Sequence, residues 1–199
     1  MKIGLTGSIA CGKSTVAAML REAGCPVVDA DAISRALTAL GGEALPALRA
    51  AFGDAVFDGD TLNRRALGQL VFADAAQRER LNAILHPLII GRVFAELDAL
   101  SRAHSPVFAD VPLLYECGMQ HGFDRVWVVA APRALALSRL MARDGLPEAE
   151  AARRIDAQMP LGEKLRRADA VIRTDKPLPA VRAQVLRLLA GASGVPQND

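Results

Sequence analysis

The chain has 199 residues, one to one and a half times a common domain length, so one core carrying an insertion is expected. Hydrophobic residues make up 51% and charged residues 23%, which excludes a disordered chain, and no run of about 18 apolar residues occurs, which excludes a membrane-spanning helix. With 24 basic against 22 acidic residues, the net charge of +2 gives no electrostatic case for nucleic acid or an anionic membrane as partner.

In chain order, Met1-Lys2-Ile3-Gly4-Leu5-Thr6-Gly7 only faintly imitates a secretory leader. Thr6, Gly7 and Ser8 dilute its apolar stretch and Lys13 ends it without a small-residue cleavage pattern, so a cytoplasmic chain is expected. Lys2 to Thr6 reads as a buried strand, followed by a helix from about Lys13 to Ala23 with Val16, Met19 and Leu20 at helical spacing and Gly24 as its stop. Pro26-Val27-Val28 forms a short second strand that ends in Asp29-Ala30-Asp31, and Asp31 could cap the next helix. This opening is a βαβ unit, which predicts a parallel sheet.

From about Leu37 to Ala103 the pattern is helical and no strand is expected. Leu45, Leu48 and Phe52 make one face, Leu67, Leu70 and Val71 another, and Pro87 is placed to start a helix carrying Ile89, Val93, Leu97 and Leu100. Strands return at Val107 to Val111 and at Arg125 to Val129. Pro132 opens a helix to about Ala142, and a second covers Glu148 to Gln158. Asp169 to Ile172 reads as the last strand, Pro177 to Leu189 as the closing helix, and Gly191 to Asp199 as a frayed tail. Three cysteines, Cys11, Cys25 and Cys117, form no C-x-x-C pair and support neither a disulfide framework nor a structural zinc site.

The chemistry begins at Gly7-Ser8-Ile9-Ala10-Cys11-Gly12-Lys13-Ser14, a complete G-x-x-x-x-G-K-[ST] between a predicted strand and a predicted helix. Glycines let the backbone turn tightly and bring its N–H groups onto phosphate oxygens, and the following helix points its positive end at the same oxygens. Lys13 is placed to reach the β- and γ-phosphates, and the Ser14 hydroxyl to ligate Mg²⁺. The motif predicts binding of a nucleoside triphosphate without choosing among kinase, GTPase and motor. A kinase also needs a group to take the acceptor proton, and Asp29 and Asp31 stand where ligands of open α/β sheets bind, at a strand's carboxyl end. Capping by Asp31 with a solvated Asp29 is the plain alternative, and the phosphate loop upstream favours the functional reading. Asp110, at another strand end, could act near Mg²⁺, and a strand-end turn would account for it equally well.

The sequence resembles the dephospho-coenzyme A kinase family. Gly4 to Gly7, Lys13 to Val16 and Val28 to Asp31 carry the resemblance at the start. Leu62-Asn63-Arg64-Arg65-Ala66-Leu67 and Leu81-Asn82-Ala83-Ile84-Leu85-His86-Pro87 carry it through the middle. Asp110-Val111-Pro112-Leu113-Leu114-Tyr115-Glu116, Arg139 to Asp144 and Ala168 to Ile172 extend it toward the end.

The resemblance implies an α/β fold: a P-loop parallel sheet flanked by helices, with a helical substrate-binding insertion and a helical lid. The nucleotide-binding core would be 1–36, 104–138 and 168–199, the acceptor-binding insertion 37–103 and the lid 139–167. The implied reaction moves the γ-phosphoryl group of ATP, with Mg²⁺, to the 3′-hydroxyl of dephospho-coenzyme A. Ala10, Cys11, Gly12, Lys13, Ser14 and Thr15 would surround the ATP phosphates, with Ser14 and Asp110 at the metal. Asp31 resembles the catalytic carboxylate, acting with Lys13 and the lid arginines Arg139 and Arg143, and Asp31, His86, Pro112, Leu113 and Glu116 fall to the acceptor site.

A nucleoside or nucleotide kinase of the same architecture stays the alternative, and a nucleotide-dependent switch is a more distant one because no N-K-x-D motif occurs. A monomer is favoured. Ser8 stands where the family has glycine and would be strained at positive φ. Cys11 is expected as a small filler, although a helix N-terminus could lower its pKa. Ile172-Arg173-Thr174-Asp175 lacks the family's usual Asn after the last strand.

Overall fold

The structure is a computed structural model that describes residues 1–192. The chain forms two compact units, one made of Met1–Val28 with the chain from Glu96 onward, the other of Asp29–Ala95. In chain order the elements are β1 (Lys2–Gly7), α1 (Lys13–Glu22), β2 (Val27–Asp29), α2 (Ala30–Leu37), α3 (Leu45–Phe52), β3 (Phe57–Asp58) and β4 (Thr61–Leu62). Then follow α4 (Arg64–Ala73), α5 (Ala75–Ser101), β5 (Val107–Asp110), β6 (Arg125–Ala130), α6 (Arg133–Asp144), α7 (Glu148–Asp156), α8 (Leu161–Arg166), β7 (Ala170–Arg173) and α9 (Leu178–Ala192).

Five strands form one sheet in the order β2-β5-β1-β6-β7. The β1–β5, β1–β6 and β6–β7 pairings are parallel, with Leu5 opposite Asp110 on one side and Trp127 on the other. β1 is central and is buried from Ile3 to Gly7, which is why its apolar run is nearly unbroken. The core joins Ile3, Leu5, Phe108, Trp127 and Ile172 to Val16 and Leu20 of α1 and Val181 and Val185 of α9. Phe108 and Trp127 meet edge to face, with ring centroids 5.1 Å apart.

In the unit Asp29–Ala95, α2 is capped by Asp29, whose Oδ1 accepts the Ala32 N–H at 2.9 Å. Asp31, expected as the cap, lies inside the first turn: the strand ends one residue later than the apolar run, so the cap falls on Asp29. The strand-free expectation for 37–103 is also corrected, since β3 and β4 pair antiparallel as a two-residue hairpin. Strands so short carry no readable period. Pro87 does not start a helix. It lies inside α5, which begins at Ala75 behind Asp74, whose Oδ1 accepts the Ala76 N–H at 2.8 Å. That cap sets the N-terminus, and the helix continues through the proline without one backbone donor. The closing helix reaches Ala192, so Gly191 is helical, and the rest of the expected frayed tail lies outside the described residues. Among the described residues, no helix is long and apolar enough to cross a membrane.

Candidate active site

The phosphate loop leaves β1 at Gly7 and enters α1 at Lys13. Gly7 is dictated by packing, because a Cβ there would stand 2.5 Å from the Val129 carbonyl oxygen and 2.6 Å from Cys11 Sγ. Gly12 is dictated by conformation, with φ 88° and ψ 20°, a left-handed backbone where a side chain is strained. The other left-handed turn falls on Ala10, at φ 57°, the one non-glycine residue with positive φ among the described residues. Ser8 therefore meets none of the strain expected if its φ were positive.

α1 starts without a side-chain cap and without an acidic residue in its first turn. The orphan N–H groups and the positive end of the helix are thus left to an anion. Lys13 Nζ is ion-paired with Asp110 Oδ1 at the end of β5, both side chains being mostly buried. Cys11 is 1% exposed, and burial pushes its thiol above the ordinary value, outweighing the nearby Lys13 and Lys164 charges that pull it down. Burial thus outweighs the lowering suggested by its place before a helix.

The exit of β7 closes the other side of the loop. Thr174 donates its hydroxyl to the Cys11 carbonyl at 2.5 Å, and its Oγ1 and backbone oxygen accept from Arg139 Nη1 and Nη2 at 3.2 and 2.9 Å. A cavity of about 420 Å³ opens beside this contact, lined among others by Gly12, Thr15, Arg139, Thr174, Lys176 and Pro177. It is large enough for a planar heterocycle next to the phosphate loop.

Among the expected site residues, Ala10, Cys11, Gly12, Lys13, Ser14, Thr15, Asp110 and Arg139 gather around this loop and cavity. Arg143 turns to its neighbour Asp144, with Nε at 2.7 Å and Nη2 at 3.0 Å, and this contact raises the guanidinium and lowers the carboxyl pKa. Glu116 is engaged as well: its Oε1 pairs with Lys164 Nζ at 2.8 Å and accepts the Met159 N–H at 3.0 Å. The Pro112 carbonyl accepts from Thr6 Oγ1 at 3.0 Å, and Leu113 is exposed. Asp31, exposed, and His86, half-buried on α5, belong to the unit Asp29–Ala95.

Sequence reasoning missed Thr174, Lys176, Gln158 and Lys164. Thr174 carried a weak signal, lying in the stretch Ile172–Asp175 after the last strand where the resemblance expects an Asn. The others sit in segments whose charges look like an ordinary solvated surface.

The oxygen donors expected for Mg²⁺ are the Ser14 hydroxyl and the Asp110 carboxylate, the latter also paired with Lys13. No group of three or more metal-binding His, Cys, Asp or Glu side chains occurs among the described residues. That sparse, all-oxygen pair fits Mg²⁺, which takes one or two protein oxygens and fills the rest of its shell with phosphate and water.

Comparisons with known proteins agree with this geometry. The dephospho-CoA kinase family model matches residues 1–179. A dephospho-CoA kinase of Geobacillus kaustophilus is 44% identical over 191 residues, covering 95% of this chain and 95% of the relative. The crystal structure of TT1252 from Thermus thermophilus superposes with a TM-score of 0.83 at 38% identity, covering 98% of both chains. The dephospho-CoA kinase from Campylobacter jejuni superposes with a TM-score of 0.73 at 27% identity, covering 98% of this chain and 99% of its own. With the phosphate loop, the parallel sheet and the matched length all in place, the chain belongs to the dephospho-CoA kinase family.

Proposed function

We propose that this protein transfers the γ-phosphoryl group of ATP to the 3′-hydroxyl of dephospho-coenzyme A, completing coenzyme A. The observation that carries the reading is the uncapped α1 behind a complete phosphate loop, with Lys13 held by Asp110, in a chain of this family. Ala10 to Thr15 surround the phosphates, and Lys13 offsets the charge that gathers on the transferring group. The adenine occupies the cavity beside Thr174, with Arg139 held along its wall by two hydrogen bonds. Ser14 and Asp110 would hold Mg²⁺, which would supply charge neutralisation at the phosphates.

Asp31 takes the proton of the acceptor hydroxyl. Two observations favour it: Asp29 already performs the capping of α2, and the Asp31 carboxylate is exposed in the first turn. Residues 37–103 act as the acceptor-binding insertion, with His86 contributing there, and 139–167 as the lid. Pro112, Leu113 and Glu116 bound the acceptor site from the loop after β5. Arg143 joins the transferring phosphoryl group by exchanging Asp144 for it, a bidentate partner for a bidentate partner.

The test is ADP release from Mg²⁺-ATP with and without dephospho-coenzyme A, with the product identified by mass. Acceptor-dependent release and a phosphorylated acceptor are expected. ATP turnover with a nucleoside or nucleotide but not with dephospho-coenzyme A would assign the other kinase class, and ATP binding without transfer would leave a switch.

A further inference from the structure

Gln158 lies between α7 and α8, and its side-chain Oε1 accepts the Ile9 N–H at 2.8 Å, across 149 residues of chain. Ile9 is inside the phosphate loop, so a lid residue holds a loop amide directly. The next residue is held in turn, since the Met159 N–H donates to Glu116 Oε1 at 3.0 Å. Lys164 of α8, 0% exposed, pairs with the same oxygen at 2.8 Å and also reaches the Pro112 carbonyl at 3.4 Å. That carbonyl accepts the Thr6 hydroxyl at 3.0 Å, and Thr6 immediately precedes the loop. The contacts therefore form a closed polar ring that starts at Thr6 and returns at Ile9. A buried ion pair adds little net stability over an apolar filler of the same volume.

We propose that Gln158 is a positioning residue for phosphoryl transfer, fixing the first half of the phosphate loop through the Ile9 amide while Met159, Glu116 and Lys164 hold it in place. The Ile9 N–H is half-buried and Gln158 supplies its acceptor. Without that acceptor the amide must seek water, and the turn through Ala10, already left-handed, loses its anchor. Displacements of about 1 Å at reacting groups cost up to about a hundredfold in rate, so the consequence falls on kcat.

The activity readout rests on the kinase reading above, so the experiment has two arms in the full-length protein. In Gln158→Met, which keeps length and removes the acceptor, hydrogen exchange at the Ile9 amide rises about tenfold and kcat falls about tenfold. The KM for dephospho-coenzyme A stays within about twofold, because its binding contacts are untouched. Gln158→Glu keeps an oxygen at the same reach, so Ile9 protection and kcat at saturating ATP recover, while KM for ATP rises with the added negative charge. Equal Ile9 exchange in Gln158→Met and the parent, a parental kcat in Gln158→Met, or a lowered Tm with no loss of kcat overturns the proposal. A parent protein that transfers nothing to dephospho-coenzyme A overturns the kinase reading instead, and Ile9 exchange still decides the role of Gln158.

Discussion

Thr174 donates its one hydroxyl proton to the Cys11 carbonyl at 2.5 Å, tying the exit of β7 to the phosphate loop across 163 residues of chain. The same oxygen accepts from Arg139, so one small side chain sets both the loop and the cavity wall. In Thr174→Val the shape stays, the hydroxyl contacts with Cys11, Ala130 and Arg139 go, and only the Arg139 bond to the backbone oxygen remains. Loss of about 1–2 kcal/mol is expected, seen as a Tm lowered by about 2–4 °C per kcal/mol, with KM for ATP raised about five- to tenfold. An ATP titration and a thermal melt measure the two effects, and an unchanged KM would separate Thr174 from nucleotide binding.

Lys13→Ala should lower kcat by on the order of 10²–10³, the range for deleting one preorganised charge donor at a transferring group. Asp110→Asn should retain some turnover but lose about 1–3 kcal/mol of stability, because a mostly buried ammonium is left without its carboxylate. Single-turnover kinetics with Mg²⁺-ATP separates the two. Parental rates in Lys13→Ala would remove the phosphate loop from the reaction.

The two carboxylates around α2 should divide by readout. Asp31→Asn is expected to cut kcat by on the order of 10²–10⁴ with an unchanged melt, as loss of a general base does. Asp29→Ala is expected to lower stability by about 1 kcal/mol through the lost cap, whereas Asp29→Asn, an equally good cap, should be nearly silent. If Asp29→Asn is the crippling change, the base is Asp29.

Stability should fall at alkaline pH. Burial raises the thiols of Cys11, Cys25 and Cys117 above their ordinary value of 9.0, so the folded chain holds those protons where the unfolded chain releases them. The stabilisation is complete below about pH 9 and is lost as pH rises toward the folded values. Thermal melts from neutral to alkaline pH should show a decline that begins near there, shallower in Cys11→Ala.

Much of the phosphate loop and the central sheet was readable in the chain because it depends on local pattern. Gly7, Gly12 and Lys13 announce a strand–loop–helix, and the apolar runs around Val107 and Arg125 announce central strands. Elements held by distant partners were not readable. The β3–β4 hairpin is too short for a period, and Pro87 looks like a helix start until the Asp74 cap upstream is seen. Lys164 looks like one charge of a solvated helix, and only the fold makes it the wholly covered partner of Glu116. The Gln158–Ile9 contact spans 149 residues, a distance over which sequence periodicity carries no information.

The burial of Lys164 has a practical consequence for chemical probing. Twenty of the 24 basic residues are arginines, which leaves four side-chain amines in the whole chain. Lys164 is sealed, and Lys2 is engaged by Asp98. Lys13 is mostly buried in its ion pair with Asp110, which leaves Lys176, exposed on the wall of the cavity beside the phosphate loop. A lysine-selective electrophile therefore meets Lys176 as its one exposed, cavity-lining side-chain amine among the described residues, with the Met1 α-amine as the competing site, so composition, burial and ion pairing together make amine chemistry on this protein close to site-directed.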